Sequence, residues 1–436
     1  MLLGTQRIND QGHLEIGGGD AAELAHRFGT PLYVVDEECL RRSCRDYRRA
    51  FESRYPSVHI SFSSKAFICS ALCVIVDREG LGVDVSSGGE LQTALRAGVA
   101  PERIFMHGSN KSRAEMEMAV TTGVGRLGID HLGEIDALQA IANQHDAQLN
   151  VLIRVAPGVT ADTHTHIQTG KVDTKFGFPL VNGAAMAAAA KVLQAPNLRL
   201  CGVNCHIGSQ IFDLEPFREA AAMMVDFAAQ VREELGVTLT DLDLGGGIGV
   251  RYREDDHPPA LDDYAEAVTG AVKERCGLRD FPLPRLIQEP GRRIVGEAGT
   301  TLYTIGVVKE IPGIRTYVSV DGGLSDNPRP ALYDAKYDAI VANKADQART
   351  RIVTISGKHC ETDTLIMDLA VPEIAPGDIL AVQTTGAYNY SMASNYNRLP
   401  RPAAVLVHEG QAEVIVERET VAELLRHDRI PPRLEG

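Results

Sequence analysis

From about residue 32 to about residue 295, short runs of β-branched and apolar residues alternate with longer stretches whose apolar positions recur at helical spacing. The short runs are PLYVVD, HISFSS, LGVDVSS, IFMHGS, VGRLGID, LNVLIRVAP, LCGVNCHIG, LTDLDLGGG and PRLIQEP. Between them lie segments such as Gly89 to Gly98, AEMEMAVTTG and FREAAAMMVDFAAQVREEL. Strand and helix in turn predict a parallel sheet covered by helices, and about eight such units favour closure into a (β/α)8 barrel over residues 36–297. After residue 298 the texture changes to TLYTIGVVKEI, TYVSVDGG, RIVTISG, DILAVQTTGAY and PAAVLVHEG, separated by Gly, Pro and Asp. That pattern predicts a mainly antiparallel β domain over 298–436, joined by residues 1–35.

Length and composition fit this division. The 436 residues are 44% hydrophobic, enough for one large and one smaller core. A formal net charge of −14 repels phosphate backbones and anionic membrane surfaces, so neither nucleic acid nor membrane is expected as a partner. No apolar run reaches the roughly 18 residues of a membrane span, and the first residues lack a basic stretch followed by an apolar one. The eight cysteines are scattered without a CxxC pair, which reads as thiols in a reducing compartment, the cytoplasm.

The chemistry-bearing residues stand where strands give way to loops. Lys65 follows VHISFSS, so its amine emerges at the mouth of the expected barrel, where a desolvated lysine can attack a carbonyl. A lysine after a strand also occurs as an ordinary solvated residue. The run Gly245-Gly246-Gly247 lets backbone N–H groups approach an anion, phosphate above all, although a tight turn without a ligand looks the same. It lacks the GxGxxG spacing of a dinucleotide site. Glu289 closes RLIQEP, where a carboxylate can hold a pyridine nitrogen protonated or pair with Arg292 or Arg293. His206 ends another apolar strand, as a stacking platform or a core histidine. His164 and His166 have a metal-binding spacing but no evident further ligands, and no metal site is expected. Cys360, flanked by His359 and Glu361, is the cysteine whose setting suits a proton donor.

Ten motifs in order, FSSKAF, VDVSSGGEL, HGSNKS, QTGKVDTKFG, HIGSQIFD, GGGIG, EPGR, DGGLSDNPRPALY, GKHCE and GAYNYSMASNYN, cover nearly the whole chain. Together they resemble the pyridoxal-phosphate decarboxylases of the alanine-racemase-like barrel class, within it the meso-diaminopimelate decarboxylases. The resemblance implies pyridoxal 5′-phosphate carried by Lys65, with His206 stacked on its ring and Glu289 at its pyridine nitrogen. Ser209, Gly246, Gly247, Gly291, Arg292 and Tyr388 would bind the cofactor, chiefly its phosphate. Arg292, Arg329, Tyr333 and Tyr388 would meet the substrate, the first three at its distal carboxylate, with Glu361 at its distal ammonium. Cys360 would return a proton after loss of carbon dioxide. It also implies a homodimer in which Cys360 and Glu361 arrive from the second subunit. After Cys-Glu, CETDTL is one residue shorter than the loop common in that family. Two further readings stay open: decarboxylation of another D-configured or carboxylated amino acid or polyamine, and a non-catalytic regulator of the same fold.

Overall fold

The computed structural model describes residues 1–159 and 173–435. It divides into two units, one made of Met1–Leu40, Arg251–Asp256 and Val295–Gly436, the other of Arg41–Val250 and His257–Ile294. His164 and His166 lie outside the described residues.

The second of these units is a closed barrel of eight parallel strands. They are β1 (Val58–Ser63), β2 (Gly82–Val85), β3 (Ile104–Met106), β4 (Arg126–Ile129), β5 (Leu149–Ala156), β6 (Leu198–Asn204), β7 (Asp241–Asp243) and β8 (Arg285–Gln288). Each pairs with the next, and β8 returns to β1 through Leu286 with Val58, Ile287 with His59 and Gln288 with Ile60. Every residue of β2 and β3 is buried. With one face in the barrel and the other under helices, β3 is apolar throughout, and β2 is apolar except for Asp84, which is buried. The helices between them begin where the sequence supplies caps. Ser87 accepts from Glu90 N ahead of Gly88–Arg96, and Ser112 and Glu115 form a reciprocal cap ahead of Arg113–Thr122. Glu215–Leu235 buries Phe217, Ala220, Ala221, Met224, Val225 and Ala228, the three-to-four spacing of a helix lying on a sheet.

The starts of the strands are tied by charge. Asp241, first in β7, accepts from Arg126 Nε at 2.7 Å and from Arg285 Nη2 at 2.9 Å, and these arginines are the first residues of β4 and β8. Burial and the nearby Arg285, Arg103 and Arg126 pull the His59 imidazole down to about 4, so it stands neutral against the Phe105 ring, 4.8 Å between centroids.

The other unit holds a mixed sheet around the long strand Gly299–Ile311. Its first half pairs antiparallel with Leu32–Asp36 and with Ile379–Val382, its second half antiparallel with Arg315–Val320. Two pairings are parallel, Arg315–Val320 with Arg351–Ser356 and Leu32–Asp36 with Ala403–His408, so the sheet is mainly antiparallel, as its sequence texture predicts. Leu32, Val34, Leu302, Ala381 and Val405 form its core with Leu24 and Ala25 of the helix Ala21–Phe28. PLYVVD therefore does not belong with the alternating barrel runs. Leu32–Asp36 is buried at all five positions, and a strand covered on both faces reads the same in either setting. No helix of the described residues is long and apolar enough to cross a membrane.

One buried ion pair braces the barrel on the β3 side. Lys111 Nζ donates to Gly108 O at 2.8 Å, to Gly128 O at 2.7 Å and to Glu134 Oε2 at 3.1 Å, and both side chains are 1% exposed. Lys111→Met leaves the Glu134 carboxylate buried without its cation and is expected to cost about 3–5 kcal/mol in denaturant unfolding. Lys191→Met, which breaks the partly exposed pair with Asp136, should cost less than about 1 kcal/mol. Equal losses in the two variants would contradict this account of the barrel.

Candidate active site

The ends of the barrel strands gather the polar side chains that their starts do not use. Lys65 lies in the single turn Ser64–Ala66 directly after β1, exposed between two buried neighbours. Glu289 directly follows β8, and Ser63 N donates to Pro290 O at 3.0 Å, which fixes the two strand ends side by side. The positive charge of Lys65 is felt by Asp84, Glu90, Glu289 and His206.

Glu289 has a side chain only 9% exposed, with Oε1 2.7 Å from His107 Nε2. Burial opposes its charge, but His107 and Lys65 outweigh burial and hold the carboxyl down to about 2. Burial likewise works against the His107 imidazolium, and the charges of Glu289 and Asp84 more than offset it, raising its pKa. Asp243 lies on the same side of His107 as Glu289, Oδ2 to Nε2 3.9 Å, and burial together with the Glu289 charge pushes its carboxyl well up, towards the protonated form. Asp84 completes the group. It accepts from Ser63 Oγ at 2.8 Å, and burial and Glu289 push its carboxyl up. Asp84, His107 and Glu289 bring ligand-type atoms within 4.8 Å of one another.

Beside this charged group is a narrow backbone cradle. A Cβ on Gly246 would stand 2.4 Å from the Glu289 carbonyl oxygen. Gly247, with φ +126°, would bring one 2.4 Å from the Gly208 carbonyl, so neither position admits a side chain. Gly246 N donates to His206 Nδ1 at 3.4 Å. His206 is half-buried, and burial with the charges of Lys65 and Arg154 pulls its pKa well down, leaving a neutral flat ring. The buried Arg292 donates to Ser209 Oγ from Nε at 3.3 Å and from Nη2 at 3.1 Å, and Gly291 precedes it.

The barrel unit thus holds Lys65, His206, Ser209, Gly246, Gly247, Glu289, Gly291 and Arg292 at the ends of β1, β6, β7 and β8. Arg329, Tyr333, Cys360, Glu361 and Tyr388 belong to the other unit. There, Arg329 and the half-buried Tyr333 open and close the one-turn helix Arg329–Tyr333. Tyr388 holds a left-handed φ of +64°, an uncommon conformation for a residue with a bulky side chain. Cys360 and Glu361 lie in the turn between Arg351–Ser356 and Thr364–Val371, closed by Gly357 N donating to Asp363 O at 2.7 Å. Glu361 is exposed and accepts from Tyr396 OH at 2.7 Å, and Cys360 N donates to Asn397 Oδ1 at 3.0 Å. Cys360 is exposed, whereas the other seven cysteines are buried.

A family model described as "Pyridoxal-dependent decarboxylase, pyridoxal binding domain" matches residues 38–296. The chain is 48% identical over 428 residues to a curated diaminopimelate decarboxylase of Bacillus subtilis, covering 98% of each. Among solved structures it is similar to diaminopimelate decarboxylase of M. jannaschii in complex with L-lysine, at 35% identity and TM-score 0.93 over 100% of both chains. It also resembles the Helicobacter pylori enzyme complexed with L-lysine, at 33% identity and TM-score 0.85, covering 93% of this chain and 98% of that one. The chain belongs to the diaminopimelate decarboxylase family of pyridoxal-dependent enzymes. The residues at the barrel mouth fit that family's cofactor. An ionised carboxylate matches a pyridinium nitrogen, a neutral histidine matches a flat ring, and a buried arginine with a hydroxyl and two side-chain-free backbones matches a phosphate.

His107, Asp84 and Asp243 were not singled out from the sequence, although HGSNKS, VDVSS and LDLGGG contain them. Their signal is a titratable residue at or beside the end of a barrel strand: Asp84 next to last in β2, His107 directly after β3 and Asp243 last in β7. The pH behaviour follows from the shifts. Glu289 is depressed on folding, so its stabilisation is present above the ordinary carboxylate range and is lost as pH falls towards about 2. His107 is raised, so its stabilisation is present below its ordinary 6.5 and is lost as pH rises through the raised value. His107→Gln removes the main charge holding Glu289 down, and the acid-unfolding midpoint followed by circular dichroism should move to higher pH. A midpoint that does not move would show that His107 does not hold Glu289.

Proposed function

We propose that this protein removes carbon dioxide from meso-2,6-diaminopimelate to give L-lysine, as the closing step of lysine synthesis. What carries the reading is a likeness running through both units, over nearly the full length, to relatives named for that substrate. Pyridoxal phosphate, when bound, withdraws electrons from the α-carbon of an attached amino acid as its carboxylate departs.

Each residue of the chain then has a defined task. Lys65, exposed directly after β1, would supply the amine that carries the cofactor. Glu289, ionised across the physiological range, would hold a pyridine nitrogen protonated, with His107 and Asp243 keeping its carboxylate in place. His206 offers the neutral ring face. Ser209, Gly246, Gly247, Gly291 and Arg292 hold the phosphate, with Tyr388 contributing there and at the substrate. Arg329 and Tyr333, with Arg292, take the distal carboxylate of the substrate, and Glu361 takes its distal ammonium. Cys360 Sγ holds the proton that replaces the lost carboxylate.

The exposure of Cys360 and Glu361 supports a homodimer in which a second copy supplies both. Eight free thiols support a reducing, cytoplasmic setting. A substrate without the distal carboxylate would leave arginine charge unpaired in a desolvated site, which costs several kcal/mol.

The test is release of carbon dioxide and amine from the purified protein with pyridoxal phosphate. The substrates, offered singly, are meso-diaminopimelate, LL-diaminopimelate, lysine, ornithine and arginine. Release from the meso isomer alone, with L-lysine as product, is the expected result. Release from ornithine or arginine but not from the meso isomer would overturn the roles of Arg329 and Glu361 while leaving the cofactor site standing.

A further inference from the structure

Arg329 sits in an aromatic enclosure that its sequence motif does not announce. Its side chain is buried, and the groups that act on its charge are Tyr252 and Tyr337, with no carboxylate among them. Instead Nη1 donates to Tyr252 OH and to Tyr337 OH, each at 2.8 Å. The guanidinium carbon lies 5.1 Å from the centre of the Tyr252 ring and 5.8 Å from that of Tyr337. The two rings meet edge to face, with centroids 5.2 Å apart and planes at 89°. Tyr252 comes from Arg251–Asp256, a short stretch that joins this unit from the middle of the barrel sequence.

The chemistry of this arrangement is specific. A buried guanidinium must be compensated, and a carboxylate partner would do so by neutralising it, leaving nothing for an incoming anion. Phenol oxygens and aromatic faces compensate it without cancelling its charge. Both acceptors also fall on one nitrogen, Nη1. The Nε and Nη2 hydrogens are bonded to no described residue, and these form the edge that grips a carboxylate with two parallel hydrogen bonds.

We infer that Tyr252 and Tyr337 are specificity-determining positioning residues, holding Arg329 charged and turned so that its Nε/Nη2 edge receives the distal carboxylate of the substrate. The inference rests on the assignment of Arg329 to that carboxylate. The two tyrosines act through Arg329 and are not required for the chemistry at the α-carbon.

The test uses full-length holoenzyme carrying Tyr252→Phe, Tyr337→Phe or both, in parental and Arg329→Ala backgrounds. Phenylalanine keeps the rings and their packing and removes only the acceptors. The double variant should raise KM for meso-diaminopimelate about tenfold with kcat within about twofold. In the Arg329→Ala background the same changes should move KM by less than about twofold, since the residue they act through is gone. Inhibition constants separate positioning from general damage. L-lysine, which retains the distal carboxylate, should bind about tenfold more weakly to the double variant, while cadaverine, the same chain without it, should change by less than about twofold. Unchanged KM in the double variant, equal weakening of both inhibitors, or effects that persist without Arg329 would overturn the inference alone. A parent enzyme that turns over a substrate lacking the distal carboxylate but not meso-diaminopimelate would overturn the assignment beneath it, and the inference with it.

Discussion

The pairing of β8 with β1 is the contact on which the site depends. These strands are the last and first of the barrel, and their parallel register, continued by Ser63 N on Pro290 O, places the residue after β8 beside the turn after β1. Lys65 and Glu289 come from opposite ends of the barrel sequence, and closure is what makes them neighbours. The same closure gives every strand a start on one rim and an end on the other, so a position along a strand is already a statement about which rim a side chain serves.

The two rims use charge differently. At the strand starts, Asp241 is shared by Arg126 and Arg285, opposite charges in direct contact, an arrangement that locks strands together. At the strand ends, acids outnumber bases around one histidine. Glu289 keeps its charge at the expense of Asp243 and Asp84, whose carboxyls are pushed up by burial and by that neighbouring charge. An unequal set of carboxyls is costly to bury, and it is tolerable because His107 and Lys65 concentrate their positive charge on one of them. The result is an ionised Glu289 beside His107, with the buried Arg292 on Ser209.

Much of this is legible in the chain because barrel chemistry sits at strand ends and strand ends are marked by sequence. HISFSS followed by Lys65, and RLIQ followed by Glu289, Pro290 and Gly291, show where apolar runs stop. The glycines after LDL show where backbones approach too closely for side chains. What was illegible has physical causes. Leu32–Asp36 has the composition of a barrel strand because it too is covered on both faces, and only its partners reveal that it belongs to the other sheet. His107, Asp84 and Asp243 act by proximity across three different strands, which no local spacing encodes. Tyr252 stands between glycine-rich and acidic segments, far along the chain from Arg329, and nothing in either neighbourhood signals the hydrogen bond between them.

The central claim is that the amine directly after β1, fixed beside Glu289 by barrel closure, carries the cofactor. Borohydride reduction of the protein loaded with pyridoxal phosphate, followed by peptide mass mapping, tests it most directly. A pyridoxyl group on the peptide containing Lys65, and loss of that label in Lys65→Ala, is the predicted result. A label on another lysine with Lys65 unmodified would contradict the placement of the site and the proton and charge roles built around it.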